Sequence, residues 1–211
     1  MRVKCIENSN KPNLTINKIY TVYEGEFIAD AYERLYIMFK IQNDYGSVIP
    51  YDAKYFEISS DKNPNYLEKE ISENKYRFTH KLISYDKFWS MLYDEAGTSV
   101  DDFRSAKKDI YKLEMSREEI CEIIKGDNQD ELDIILELLL ETKDSNFIEE
   151  VIRLSHREMN KRMVNQNVET AFLYLSEFKN DYVNNFFIEY LSENEKGNEK
   201  LDKIVSDYFN S

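Results

Sequence analysis

Near Asp61-Lys62-Asn63-Pro64 the texture of this chain changes, and that change constrains the fold more than any other feature. Before it, short runs rich in β-branched and aromatic residues alternate with turn signals. After it, apolar positions recur at helical spacing between capping residues. The pattern predicts an α+β chain of two units: a small β-barrel over residues 1–60 and an acidic α-helical domain over 65–211. With 211 residues there is chain enough to bury a core without disulfide or metal staples. Aromatic residues make up 14% of it, which excludes a disordered class.

In the first segment, Arg2-Val3-Lys4-Cys5-Ile6 alternates as a half-buried strand does. Glu7 to Asn13 is a polar turn, and Leu14 to Tyr23 is rich in strand formers. Arg34 to Ile41 is a third strand and Gln42-Asn43-Asp44-Tyr45-Gly46 a turn. Ser47 to Tyr51 is a short strand, Asp52 to Tyr55 a single helical turn, and Phe56-Glu57-Ile58 the last strand. Five short strands in about 60 residues predict a small, partly open barrel. Seven tyrosines lie here: Tyr20, Tyr23, Tyr32, Tyr36, Tyr45, Tyr51 and Tyr55. If Tyr45, Tyr51 and Tyr55 converge on one face they form an aromatic peptide groove; the other reading is that they cover a thin core.

The order VKCI, LTINKIYTV, YIMFKIQNDYGSVIPYDAKYFEI resembles small SH3-like barrel domains of Gram-positive bacterial and phage proteins. In that family an LT-x-GKIY strand, a hairpin with a YP pair and a terminal YFE strand recur. Here Asn17 stands at the glycine of the first motif, and Ile49-Pro50-Tyr51 stands at the YP pair. The resemblance covers residues 1–60 alone and implies an SH3-like fold. That fold serves many binding functions and selects none of them.

Beyond residue 65, caps delimit the helices. Ser84 precedes Tyr85 to Tyr93 with Gly97 behind it, and Ser99 precedes a helix to Leu113. Ser116 and Glu119 form a capping box for a helix ending at Gly126. Asp127 or Asn128 opens a helix to Thr142, and Ser145 one to Met163. Stretches 166–178, 181–191 and 198–209 complete the set. The stretch from Leu132 to Leu139 is apolar on two sides, which predicts a central helix. Two helix–turn–helix stretches begin about 36 residues apart, a spacing compatible with HEAT-like pairs or with a bundle.

Net charge is −13, unevenly placed. Residues 1–60 carry 7 basic and 8 acidic side chains, and the rest of the chain carries 21 and 33. That balance argues against a nucleic-acid partner, which needs clustered Lys and Arg. It serves solubility, or it steers a basic protein partner. Glu149, Glu150 and Glu158 are the candidate contacts, because Phe147, Ile148, Val151 and Leu154 mark the opposite side of their helix. Arg153, Arg157, Lys161 and Arg162 add a basic ridge among these acids.

No catalytic or metal-binding constellation is present. His80 and His156 stand apart from any Cys, Ser or HExxH context, and no glycine-rich phosphate loop occurs. Cys5 and Cys121 are isolated and read as buried free thiols, which fits a reducing cytoplasm. Neither a metal nor a cofactor is expected. Met1-Arg2-Val3-Lys4 runs straight into a strand, so no secretory leader is expected, and no apolar run reaches the roughly 18 residues of a membrane span. Trp89 is either a core anchor or a binding hot spot.

A small acidic chain of this kind resembles, in general character, bacterial immunity proteins and phage-encoded inhibitors, which block a basic partner by charge and shape. That resemblance implies a protein-binding function. The alternatives are a regulatory or scaffold module with a peptide-binding barrel, and an enzyme with an unfamiliar site at the domain junction.

Overall fold

The computed structural model describes residues 1–8, 11–29, 33–159, 166–193 and 198–211. Its chain divides into two compact units, Met1–Met115 and Ser116–Ser211.

The first unit is an antiparallel sheet of seven strands with two helices. The strands are β1 (Arg2–Cys5), β2 (Ile19–Ala29), β3 (Arg34–Gln42), β4 (Val48–Asp52), β5 (Phe56–Ser60), β6 (Tyr66–Ser72) and β7 (Lys75–His80). The order β4-β3-β2-β1-β5 forms the main path, and β7 joins β2 to β6. The sheet is not closed, since no pairing joins β4 to β5 among the described residues. The helical turn expected at 52–55 is a 3₁₀ turn, Ala53–Tyr55, capped by Asp52, which accepts from Lys54 N–H at 3.0 Å.

β2 is the strand that the rest is built on. Its first part pairs β1, with Arg2 opposite Thr21 and Lys4 opposite Ile19. Its second part, Glu24 to Ile28, pairs β7, while β3 runs along the other edge from Val22 to Ala29. Gly25 makes the change of neighbour possible. A Cβ there would lie 2.4 Å from the Phe78 ring and 2.8 Å from the Met38 carbonyl oxygen, both inside van der Waals contact. Phe78 can therefore lie over the β2 backbone and join Phe27, Phe39 and Phe56 in the sheet core.

On the other side of the sheet, α1 (Phe88–Tyr93) and α2 (Ser99–Glu114) cover Tyr23 and Val48. Phe103, Ala106, Lys107, Ile110, Tyr111 and Glu114 recur at three- and four-residue spacing, so they share the face of α2 that packs inward. The Phe103 and Tyr23 rings lie 4.5 Å apart. Trp89 is an anchor within this unit. Its indole N–H donates to Glu24 Oε2 at 3.0 Å, and Lys40 Nζ sits 4.0 Å above its ring.

The boundaries differ from those the sequence predicts, 1–60 and 65–211. Residues 66–80 are a β-hairpin rather than helix, turning at Glu73-Asn74 with Asn74 in the left-handed region at φ 56°. Nearly every residue of β6 is exposed, so charged side chains hide its period-2 pattern. Ser84 and Ser99 are not N-caps: Ser84 donates to the Lys81 carbonyl, and Ser99 donates to the carbonyls of Met91 and Ala96.

The second unit is helical. Its members are α3 (Arg117–Lys125), α4 (Gln129–Thr142), α5 (Ile148–Met159), α6 (Gln166–Ser176), α7 (Asp181–Glu193) and α8 (Glu199–Asn210). The expected capping box at Ser116 and Glu119 is present, and Asn128 and Asn198 cap α4 and α8. α3, α5 and α7 pack in one row, and α4, α6 and α8 in another. Across the rows, α3 meets α4 and α5 meets α6. α4 is central, as its two apolar sides predict, with Leu132, Ile135, Leu136 and Leu139 all at most 2% exposed.

Two measurements check this account. Gly25→Ala should destabilise the first unit by about 1–3 kcal/mol in chemical denaturation, the cost of forcing a packed core apart. Residues 1–115 expressed alone should unfold cooperatively. Residues 1–60 alone should not, because β7 and α2 supply the second edge of β2 and the cover of Tyr23.

Candidate protein-binding surface

In the first unit a partly buried polar cluster forms where the sequence reads as a linker. Asp109 Oδ2, on α2, accepts from Asn63 Nδ2 at 2.9 Å, from Asn65 Nδ2 at 2.8 Å and from His80 Nε2 at 2.9 Å. Glu114, one turn further on, accepts from the Asn63 N–H at 3.2 Å and pairs with the Met1 amino group. The Tyr66 hydroxyl donates to the Val22 carbonyl. His80 is 0% exposed, and its Nδ1 accepts from the Leu82 N–H at 3.4 Å. The proton therefore sits on Nε2, facing Asp109. With both ring nitrogens engaged inside the fold, His80 is a structural residue.

Burial lowers the His80 pKa against the raising effect of Asp109, and the net result lies below its ordinary 6.5. Burial pushes Asp109 up, but the hydrogen bonds from Asn63, His80 and Asn65 outweigh it and hold the carboxyl below its ordinary 3.8. Both shifts act in one direction on stability. The unfolded chain binds the His80 proton more readily than the folded one, so stability is complete above pH 6.5 and declines as pH falls below it. The Asp109 contribution is lost at lower pH, as the carboxyl protonates. Denaturation midpoints of the wild-type protein should therefore fall between pH 7 and 5. His80→Gln, which keeps an N–H donor but does not titrate, should flatten that slope while costing about 1–3 kcal/mol at pH 7.

The three candidate tyrosines are not brought to one exposed face. Tyr45 is 71% exposed at the tip of the turn between β3 and β4. Tyr51 is 6% exposed, and its hydroxyl accepts from Asn13 Nδ2 at 2.6 Å and from Asn43 Nδ2 at 2.9 Å. Tyr55 packs against the sheet core with Lys54 Nζ 5.2 Å from its ring. Tyr32 lies outside the described residues.

Of the candidate acids on α5, only Glu149 is fully on the surface, and it pairs with Arg153 at 2.8 Å. Glu150 is half-buried. Glu158 is 1% exposed and its carboxylate meets Arg157 Nε at 3.3 Å. The expectation that Glu158 shares the charged side fails because α5 lies against both α3 and α6, which widens its covered face. Arg157 is likewise structural. Its guanidinium donates to the carbonyls of Ile124, Lys125 and Gly126 at the end of α3, where unpaired carbonyls and the helix dipole favour a cation. Arg157→Ala should cost the second unit about 2 kcal/mol. Lysine there should recover only part, since it lacks the planar fork; thermal melts of the two variants read this directly. Lys161 and Arg162 lie outside the described residues. His156 is half-buried, edge-on to Phe186 with ring centroids 5.1 Å apart. Cys5 is buried and Cys121 half-buried, both as free thiols.

The acidic surface that does form lies on α4. Asp130, Asp133, Glu137 and Glu141 recur at three- and four-residue spacing, a carboxylate stripe between the two apolar sides of the helix. Asp130 and Glu141 are exposed, Asp133 and Glu137 half-buried. α4 contains five acidic residues with Glu131, and no Lys, Arg or His. The second unit as a whole carries 11 basic and 22 acidic side chains. In the same row a cleft of about 550 Å³ separates α6 from α8. Glu169, Thr170 and Leu173 line it on one side and Lys200 and Leu201 on the other, with Lys200 and Glu169 paired at 2.9 Å. The signal for α4 was present in its sequence as acids without bases on the polar remainder of an otherwise apolar helix.

No helix among the described residues is long and apolar enough to cross a membrane. Comparison with protein-family models, curated proteins and solved structures finds no match for this chain.

Proposed function

We propose that this chain is a protein-binding protein whose helical unit offers an acidic surface to a basic partner, in the manner of an immunity protein or a phage-encoded inhibitor. The observation that carries this reading is the carboxylate stripe on α4, on a helix with no basic residue, within a unit of 22 acidic and 11 basic side chains. The arrangement of the unit supports it. Helices beginning at residues 117, 148 and 181 form one row and those beginning at 129, 166 and 199 the other. That arrangement supports reading the unit as a short HEAT-like stack of helix pairs, a class whose rows offer extended surfaces to partner proteins. In the first unit, the strand order β4-β3-β2-β1-β5 and the 3₁₀ turn before β5 support an SH3-like reading of residues 1–60, elaborated here by β6, β7 and two helices. The peptide-groove alternative has no such support, because Tyr51 is buried in the sheet core with its hydroxyl bonded to Asn13 and Asn43.

Asp130→Lys with Glu141→Lys tests the reading, since both side chains are exposed, with a thermal melt of the variant to confirm that it folds. Wild type and variant are immobilised and exposed to lysate of the source cells at rising salt. Proteins retained by the wild type and lost by the variant should be basic. Their association should slow with salt, because steering is screened over about 8 Å at physiological ionic strength. An identical retained set on both surfaces, or retention indifferent to salt, sinks the acidic-surface reading.

A further inference from the structure

The first unit has three terminal strands, and they are not alike. β4 contains Pro50, which has no N–H, and its Val48 carbonyl already accepts from the Tyr93 hydroxyl at 2.6 Å. β5 is five residues long. β6 runs seven residues without proline and pairs only β7 among the described residues, so its outer backbone groups face outward. Its side chains follow a definite order. Leu67 and Ile71 are 55% and 39% exposed, and they flank Glu68, Lys69 and Glu70. Glu68 is held by Arg34 at 2.5 Å, whereas Lys69 and Glu70 have no ion-pair or hydrogen-bond partner among the described residues.

A second copy of this edge meets like charges in every antiparallel register that centres on the charged triplet. Antiparallel two-fold pairing centred on Lys69 sets Lys69 against Lys69 and Glu68 against Glu70 twice. Centring on Glu68 or on Glu70 sets that carboxylate against its own copy. Like charges directly opposite one another destabilise a strand pair. The charged triplet thus resists self-pairing in those registers, and a second copy cannot complement all three of its charges at once. We propose that the outer edge of β6 takes an extended strand of a different protein, one with the complementary order apolar, basic, acidic, basic, apolar opposite Leu67 to Ile71. Backbone hydrogen bonds hold such a strand, and the charge order favours its register over that of a second copy or an unpatterned strand. This inference concerns the first unit and is independent of the acidic surface on α4.

The full chain is titrated with two synthetic nonapeptides at up to millimolar concentration. One has the central sequence Val-Lys-Asp-Lys-Val and the other the charge-exchanged Val-Glu-Lys-Glu-Val. Backbone amide exchange locates the binding. The first peptide should bind roughly tenfold more tightly, as three cross-strand charge pairs change sign, and it should slow exchange along β6. Lys69→Glu with Glu70→Lys, both exposed substitutions, should reduce or invert that preference without altering the melt. Equal binding of the two peptides, protection elsewhere, or no protection by either overturns the proposal. So does a dimer protected at β6 without peptide, which would make a second copy the occupant.

Discussion

One carboxylate decides where the first unit ends. Asp109 lies on a helix that the sequence assigns to a different domain from the sheet, yet its Oδ2 gathers Asn63, Asn65 and His80. A carboxylate drawn partly out of water is held by such donors, and charge-assisted bonds of this length are the strong ones. Two of the three donors come from the segment that joins β5 to β6, and the third ends β7. The cluster thereby ties the connecting strand, the hairpin and α2 into one body. Asp61 to Pro64 has the composition of a linker, and Asn63 is nonetheless 6% exposed.

The same logic of buried charge recurs in the helical unit. Arg157 reaches from α5 to the open carbonyls of α3, and the same guanidinium stands beside the buried Glu158 carboxylate. A side chain that reads in sequence as part of a basic ridge serves as the terminus of a neighbouring helix. Charge therefore does two jobs here. On α5 it closes helix packing; on α4 it forms a stripe between two apolar sides, exposed at Asp130 and Glu141.

Local signals were legible in the sequence. Ser116 with Glu119, Asn128 and Asn198 marked helix starts because a capping bond is made within three residues. The central place of α4 followed from its two apolar sides. What could not be read depends on distant partners. β6 shows almost no burial contrast along its length, so its alternation carries no hydrophobic signature. His80 offered no local motif, because its partner is 29 residues away on α2. Tyr51 could not be told from Tyr45 by type. The Tyr51 ring packs with Phe56 in the sheet core and two asparagine amides meet its hydroxyl, which removes it from the surface.

The sharing of β2 between β1 and β7 also sets an order of events during synthesis. β3 follows β2 closely in sequence and can pair with it at once. Thr79, which bonds Glu24 across the other edge, is 55 residues further along, and Trp89, which bonds the same carboxylate, is 65. At ribosomal rates of about 5–20 residues per second, that edge waits on the order of seconds for its neighbour. Contacts of such long sequence separation also slow folding in isolation. The helical unit, built from helices close in sequence, carries no such delay. The nascent N-terminal half is thus the aggregation-exposed part of this chain, and Glu24 and Glu26, set along the waiting strand, put charge on it while it waits.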